Sequence, residues 1–502
     1  MQRSTDSGTP GVRARAIAAA LAAVASLMAP APAAALTAAD QAHIAAIESG
    51  LLPQVIVKGR PTPAQSLAAR MAQAHVPGVS IAFFDHGRIV WAKAYGLADV
   101  ASGRPVTPET LFQAGSISKP LTAVAALRLV EAGKLDLDSD VNVRLKAWKV
   151  PDNAFTAREK VTLRRLLGHT AGLTVHGYNG YRRDEPKPTT VQVLKGEAPA
   201  NSAPVVVTSV PGSTWAYSGG GYVLTQLLLS ETTGLSFPEV MRKEVLAPAG
   251  MVHSTYQQPL PEALYDRAAT GYRRNGEPVA GKWNVYPEMA AAGLWTTPSD
   301  LARWAIEIQK AQAGRSHRLL SPAMARRMLT PGLGDWGLGV HLVNEQGTRR
   351  FGHGGDDQGF ENDLEAFTTG SGQGVVVMTN GDAGIDLVPE IVRAVARSYG
   401  WKVLQPEERA VVDVDPAILA RYAGVYAIPG LAQLTVSVKD GRLYADVPQL
   451  SPQPFELLAK SATEFFILQN GLTAQFVTDA GGPASKINVG GPFGKYEARR
   501  TP

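Results

Sequence analysis

Apolar and polar residues alternate along "VSIAFFDHGRIVWAKAYG" (Val79–Gly96), a period of two that predicts two strands, and Asp85-His86-Gly87 between them supplies a hairpin turn. The period changes in "LFQAGSISKPLTAVAALRLVEAGKLDLDSDV" (Leu111–Val141). There a polar, glycine-containing turn gives way to a helical pattern that buries Leu121, Val124, Ala125 and Leu127 and ends near Gly133. "TLRRLLGHTAGL" (Thr162–Leu173) predicts a short helix with Leu163, Leu166 and Leu167 on one face. From Val175 to Val210 the pattern is weak and broken by prolines, which predicts surface loops, and Leu36 to Pro63 is expected to wrap the surface. "YVLTQLLLSETTGL" and "SDLARWAIEIQKAQAG" are helical, "GFENDLEAF" and "GVVVMTNGD" read as adjacent strands, and a helix follows from about Asp386 to Tyr399.

Strands, a helical body, then strands and a terminal helix predict an antiparallel sheet with helices packed on it rather than a βαβ array. Composition shifts near Gln405–Asp415. Beyond it "LTVSVKDGRLYADV", "FELLAKSATEFFILQN", "LTAQFVTD" and "KINVG" are short alternating segments with Gly or Asp in several turns. The expected division is a leader over 1–35, a main domain over 36–404 and an all-β, barrel-like accessory domain over 405–502.

At 502 residues, 45% apolar and 19% charged, the chain has the composition of a globular protein with ample core. Its net charge of +5 is modest for that length, and no Lys/Arg stripe suggests a nucleic-acid partner. Arg13 and Arg15 precede an apolar run from Ala16 to Met28, and Ala33-Ala34-Ala35 has the small-residue pattern of an export cleavage site. The run is too short to span a bilayer and Pro30 and Pro32 follow it, so we expect cleavage after Ala35 and a periplasmic or secreted product without a stable membrane anchor. The chain has no cysteine, which excludes disulfides, thiol catalysis and iron–sulfur ligation.

There is no G-x-S-x-G elbow, no Walker loop and no H-E-x-x-H, and none of the nine histidines forms an i, i+4 pair, so neither metal nor cofactor is expected. Ser116 is the one serine with a lysine, Lys119, three residues later, where two helical side chains share a face. A hydroxyl is a weak nucleophile that needs a base, and a desolvated amine can be one. A helix start adds N–H groups suited to an oxyanion. Taken alone, so short a motif is explained better by an N-capping serine and a solvated lysine. Pro120 would disturb a helix already under way, so a tight first turn is expected. Two further segments change the balance. "PGSTWAYSGGGYVLTQ" (Pro211–Gln226) places Tyr217 in a glycine-rich turn before a helix, and "RRFGHGGDDQGFENDLEAF" (Arg349–Phe367) places His353-Gly354-Gly355 at a strand entry.

With "GSISK", "LLGHTAGL", "PGSTWAYSGGGY", "AAGLWTTPSDLARW" and "GHGG" in order, the chain resembles the serine β-lactamase/penicillin-binding-protein superfamily from about Leu67 to Gly400. It is most similar to the class C-like branch with carboxylesterases and D-stereospecific peptidases. The resemblance implies a two-lobe α/β (α+β) transpeptidase-like fold, with an antiparallel sheet flanked by helices, a mostly helical lobe and a cleft between them. It implies that Ser116 is acylated, that Lys119 and Tyr217 handle its proton, and that the backbone N–H groups of Ser116 and Asp356 form the oxyanion hole. His353, Gly354, Gly355 and Gly219 would bind substrate.

Two positions depart from the family pattern. Gly219 stands where an asparagine contacting an acyl-amide group is common, and His353 replaces a lysine able to hold a carboxylate. Both favour ester or simple amide hydrolysis on less anionic small molecules or peptides. The alternatives are a class C-like β-lactamase and a non-catalytic binding or sensor protein on the same scaffold. His169 is expected to be a hydrogen-bonded structural residue, Tyr178 and Tyr181 could line the cleft, and Asp356 and Asp357 could meet a substrate amine.

Overall fold

The computed structural model describes residues 1–2, 36–429, 432–448, 453–479, 481–491 and 494–501. Beyond its first two residues, the leader expected over 1–35 lies outside the described residues. The central sheet has seven strands: β1 (Gly78–Asp85), β2 (Arg88–Asp99), β3 (Arg104–Pro105), β4 (His341–Glu345), β5 (Thr348–Asp357), β6 (Phe360–Phe367) and β7 (Gly374–Thr379). Their order is β3-β2-β1-β7-β6-β5-β4, and every pairing is antiparallel.

Alternation along the strands divides the core in two. Val79, Ile81 and Phe83 of β1 and Val375 and Val377 of β7 join one cluster, together with Ile44 and Ile47 of helix α1 (Ala38–Ser49). Ala82, Phe84, Val376 and Met378 face the helical lobe. That lobe contains α2 (Ser118–Glu131), α3 (Gly219–Thr233), the short α4 (Met289–Ala292) and α5 (Pro298–Gln312). Helix α6 (Gly384–Ser398) covers the first face beside α1. The segment from Leu36 to Pro63 therefore does more than wrap the surface, because α1 buries Ile44 and Ile47 against the sheet. The stretch from Val175 to Val210 likewise differs from simple loops. It contains a helix over Thr190–Lys195 and buries Val193, Leu194, Val205 and Val207, since four scattered apolar residues seat a winding segment without showing any period.

Residues 55–57 pair in parallel with 407–409, and beyond them strands β8 (Gly424–Ile428) through β15 (Gly494–Arg500) close into an eight-stranded barrel. Leu434, Val436, Leu443, Phe465, Phe476 and Ile487 form its hydrophobic core.

Helix α2 is buried on almost every side from Ser118 to Leu127, which makes it the central helix of the lobe. It is preceded by the tight 3-10 turn Gly115–Ile117. Pro120 sits in its first turn, where an N–H has no helical partner to lose.

The sheet meets this turn backbone to backbone. A β-carbon on Gly355 would lie 2.0 Å from the Ala114 carbonyl oxygen, and one on Gly115, whose φ is +53°, would lie 2.6 Å from the Asp356 nitrogen. The Asn362 side-chain amide donates to the Gln113 and Gly355 carbonyls at 2.9 and 3.1 Å and ties the same two segments together. At Gly354 the nearest atom to such a carbon is 3.9 Å away. Gly355→Ala should therefore cost about 1–3 kcal/mol in chemical denaturation, by overpacking. Gly354→Ala should stay within about 0.5 kcal/mol. Equal effects at the two glycines would contradict this account of how the sheet seats the turn.

Candidate active site

Ser116 lies at the base of a cleft of about 730 Å³ between the sheet and the helical lobe. Lys119 lies one turn on, 1% exposed, with its Nζ 2.8 Å from Ser116 Oγ and donating to the Ala291 carbonyl of α4 at 2.8 Å. The Tyr217 and Tyr222 rings flank this amine, their centres 5.0 and 5.8 Å from Nζ. Burial brings the Lys119 ammonium down to about 7, against the opposing pull of the Asp357 charge. A serine hydroxyl beside an amine that is about half neutral at neutral pH can pass its proton to that amine as the oxygen attacks a carbonyl.

Tyr217 reaches Ser116 from the other side. Burial pushes its phenol well above the ordinary value, although a hydrogen bond with Ser116 pulls the other way. Its position is fixed from behind by His169. The His169 carbonyl accepts from Ala216 N–H at 2.8 Å and the ring Nδ1 accepts from Ser218 N–H at 3.1 Å, while the imidazole stacks on the Tyr217 ring at 4.3 Å. Burial holds the His169 imidazole well below its usual range, so it is a neutral support. The run of glycines after Tyr217 lets α3 begin tight against the neighbouring chain, with Gly219 and Gly220 N–H bonded to the His176 and Val175 carbonyls.

His353 faces the cleft from β5, beside Gly354 and Gly355. Its Nδ1 lies 2.5 Å from the Gly354 carbonyl, which can only accept, so Nδ1 carries the hydrogen. Burial brings the imidazole down to about 3, so it is uncharged throughout the neutral range. Asp356 follows on the exposed cleft side, its nitrogen against the Ser116 turn.

The structure thus brings Ser116, Lys119, Tyr217, His353, Gly354, Gly355 and Asp356 together around one cleft. Three expectations are corrected. Gly219 is buried behind Tyr217 and does not line the cleft, and a β-carbon there would meet the His176 carbonyl oxygen at 3.0 Å and the Tyr178 ring at 3.1 Å. Tyr178 lines the cleft, but Tyr181 turns inward, its hydroxyl 3.2 Å from the fully buried Glu288. Asp357 is buried on the same face of β5 as His353 and Gly355, beneath the cleft and too deep for a substrate amine.

Other features of the site escaped sequence reasoning. Trp336 stands between the halves of the cleft, its ring 5.7 Å from Tyr217 and 5.2 Å from His353. Glu288 begins α4, and burial pushes its carboxyl up to about 7. Glu361, Asp363 and Glu365 line the outer part of the cleft from β6. Their alternation in "FENDLEAF" was a legible signal that they share a face.

Residues 64–398 match the family described as Beta-lactamase, and residues 408–495 match a second described as Domain of unknown function (DUF3471). Penicillin-binding protein 4 of Amycolatopsis lactamdurans is 29% identical over 374 residues, 71% of this chain and 94% of that protein. Protein flp of Staphylococcus aureus (strain MW2) is 27% identical over 304 residues, 55% of this chain, and the chain spans just over half of flp, 56% of its length. The octameric penicillin-binding protein homologue from Pyrococcus abyssi superposes with a TM-score of 0.59 at 23% identity, covering 86% of this chain and 98% of that one. At that identity the likeness speaks for the fold.

Because Lys119 must be unprotonated to take a proton, Ser116 reactivity should rise with pH through about 7 and level off above it. Below that midpoint it should fall about tenfold per pH unit. The rate of labelling by a fluorophosphonate across this range is the measurement. A midpoint near the ordinary lysine value would show that the amine is not desolvated.

Proposed function

The chain belongs to the β-lactamase family, and we propose that it is an exported serine hydrolase that cleaves ester or simple amide bonds through an acyl-enzyme on Ser116. The observation that carries this reading is the buried amine of Lys119, 2.8 Å from the Ser116 oxygen. Ser116 Oγ bonds to the substrate carbonyl carbon while its proton passes to Lys119 Nζ. Burial keeps the Tyr217 phenol protonated at rest, which makes Lys119 the resting base and Tyr217 a relay that delivers a proton to the leaving group. Water then attacks the acyl-enzyme, and the acid leaves with Ser116 restored. In this reading the oxyanion rests on the Ser116 and Asp356 N–H groups.

Neutral His353 supports uncharged acyl donors over carboxylate-bearing ones, since it supplies no fixed positive charge. The Tyr178 ring beside Gly219 takes the room that a polar side chain from that position would need, which supports esterase or peptidase action over efficient β-lactam cleavage. The leader ending at Ala35 supports export. No described barrel residue lines the cleft, so we assign the barrel a structural role.

Ser116→Ala should abolish both p-nitrophenyl acetate turnover and fluorophosphonate labelling, and Tyr217→Phe should lower turnover about 10²–10⁴-fold. On one preparation p-nitrophenyl acetate and an alanyl anilide should be cleaved faster than nitrocefin. Undiminished labelling of Ser116→Ala would refute the assignment, and nitrocefin as the best of the three would make the protein a β-lactamase.

A further inference from the structure

Hydrolysis of an acyl-enzyme needs a water held within reach of the acyl carbon, and one side chain of the cleft has an acceptor to offer it. His353 is 7% exposed, and its Nδ1 lies 2.5 Å from the Gly354 carbonyl. Nδ1 therefore carries the ring hydrogen and Nε2 a lone pair. That lone pair is buried and has no partner among the described residues. A buried acceptor left unpaired is costly, so the site asks for a donor.

The lone pair lies on the nucleophile's side of the sheet. His353 and Gly355 leave β5 on one face, and Gly355 is seated against the Ala114 carbonyl, two residues before Ser116. The imidazole packs against Tyr217 and Trp336, at 6.1 and 5.2 Å between ring centres, and the Lys119 charge bears on it. Asp356, whose N–H is assigned to the oxyanion, follows three residues along the same strand.

The donors around Ser116 are already engaged. A neutral lysine amine has two hydrogens, and Lys119 Nζ gives them to Ser116 Oγ and the Ala291 carbonyl. The Tyr217 hydroxyl is hydrogen-bonded with Ser116. An ester carbonyl brings acceptors only. A water molecule brings two hydrogens, one to place on His353 and one to lose as its oxygen attacks.

We propose that His353 is a positioning residue for deacylation, its Nε2 accepting a hydrogen bond from the water that hydrolyses the acyl-enzyme on Ser116. This inference rests on the acyl-hydrolase reading above and concerns the second half of that reaction. The water oxygen bonds to the acyl carbon. One proton of the water passes to Lys119 Nζ and then to Ser116 Oγ as the bond from Oγ to the acyl carbon breaks. The hydrogen held by His353 stays on the departing acid. With its imidazole brought down to about 3 by burial, His353 orients the water without taking a proton from it.

His353→Phe keeps a ring against Tyr217 and Trp336 and removes the lone pair, whereas His353→Gln keeps an acceptor oxygen. Stopped-flow release of nitrophenolate from p-nitrophenyl acetate separates the two halves, the burst reporting acylation and the steady phase deacylation. His353→Phe should slow deacylation about tenfold or more. Acylation and fluorophosphonate labelling should change by less than about threefold, within the cost of a lost packing contact. Acetylated Ser116 should then accumulate and be found by mass spectrometry of its peptide, and His353→Gln should recover part of the deacylation rate. Equal slowing of both steps would overturn the proposal. So would a raised KM with deacylation untouched, which would give the lone pair to the substrate instead. If neither variant folds, the wild type decides through methanol, whose single hydroxyl hydrogen cannot serve His353 and the base together. Acetyl transfer to water should exceed transfer to methanol at equal molarity, and methanol as the better acceptor would overturn the proposal. Ser116 inert toward every ester and probe would sink the hydrolase reading and this inference with it, a result distinct from a labelled Ser116 whose deacylation ignores His353.

Discussion

A lysine amine kept out of water is the constraint around which this fold is arranged. An isolated buried ammonium is costly, and the chain meets that cost by letting the amine become neutral and by giving Nζ two oxygens, Ser116 Oγ and the Ala291 carbonyl. Both depend on distant parts of the sequence. Ser116 is placed by the tight turn before α2, and Ala291 by a four-residue helix that Gln226 holds in place through the Ala290 N–H and the Pro287 carbonyl. Thr122 and Tyr256 hydroxyls both donate to the Ser118 carbonyl, and the Leu294 N–H donates to the Ser118 hydroxyl, which fixes the same turn from inside. Solvating the amine would undo the reason for all of these contacts.

The two halves of the cleft belong to different layers of the fold, so their spacing is set wherever the layers touch. That contact is made mostly by backbone. Gly115 and Gly355 let the turn and the strand approach to a distance that no side chain would tolerate, and Asn362 bridges them. Backbone contacts of this kind vary little as side chains move, which suits a site that must hold a nucleophile and oxyanion donors within fractions of an ångström. Trp336 completes the junction, packing against His169 and Tyr217 on one side and His341 and His353 on the other.

The amino-acid pattern reveals the parts of this architecture that repeat. The β1–β2 hairpin, α2, α3, α5, the β6–β7 pair and the barrel strands all carry a period long enough to read, and the ordered short motifs point to Ser116, Lys119 and Tyr217 before any coordinates. Features made by a single contact across the chain leave no period. Thr190–Lys195 is one short helical turn among prolines, Glu288 precedes three alanines, and Trp336 stands in a glycine-rich loop. Gly219 shows the converse limit. Its place in the motif suggested the cleft, but only the structure shows that its N–H is turned to the His176 carbonyl and that Tyr178 closes the space in front of it.

Gly219 and His353 are better understood together than as separate losses. Each leaves the lobe side of the cleft neutral, Gly219 through the Tyr178 ring and His353 through a burial too deep for an imidazolium. The acids of β6, Glu361, Asp363 and Glu365, leave the opposite face of the sheet at strand spacing, and burial pushes their carboxyls up. Neutral groups around Ser116 leave desolvation as the main influence on the Lys119 amine, since a fixed cation there would lower its proton affinity further and an anion would raise it. Asp357, buried on the same face of β5 as His353, is the acid that opposes desolvation at the amine, whereas the acids of β6 leave the other face of the sheet and bear on it less.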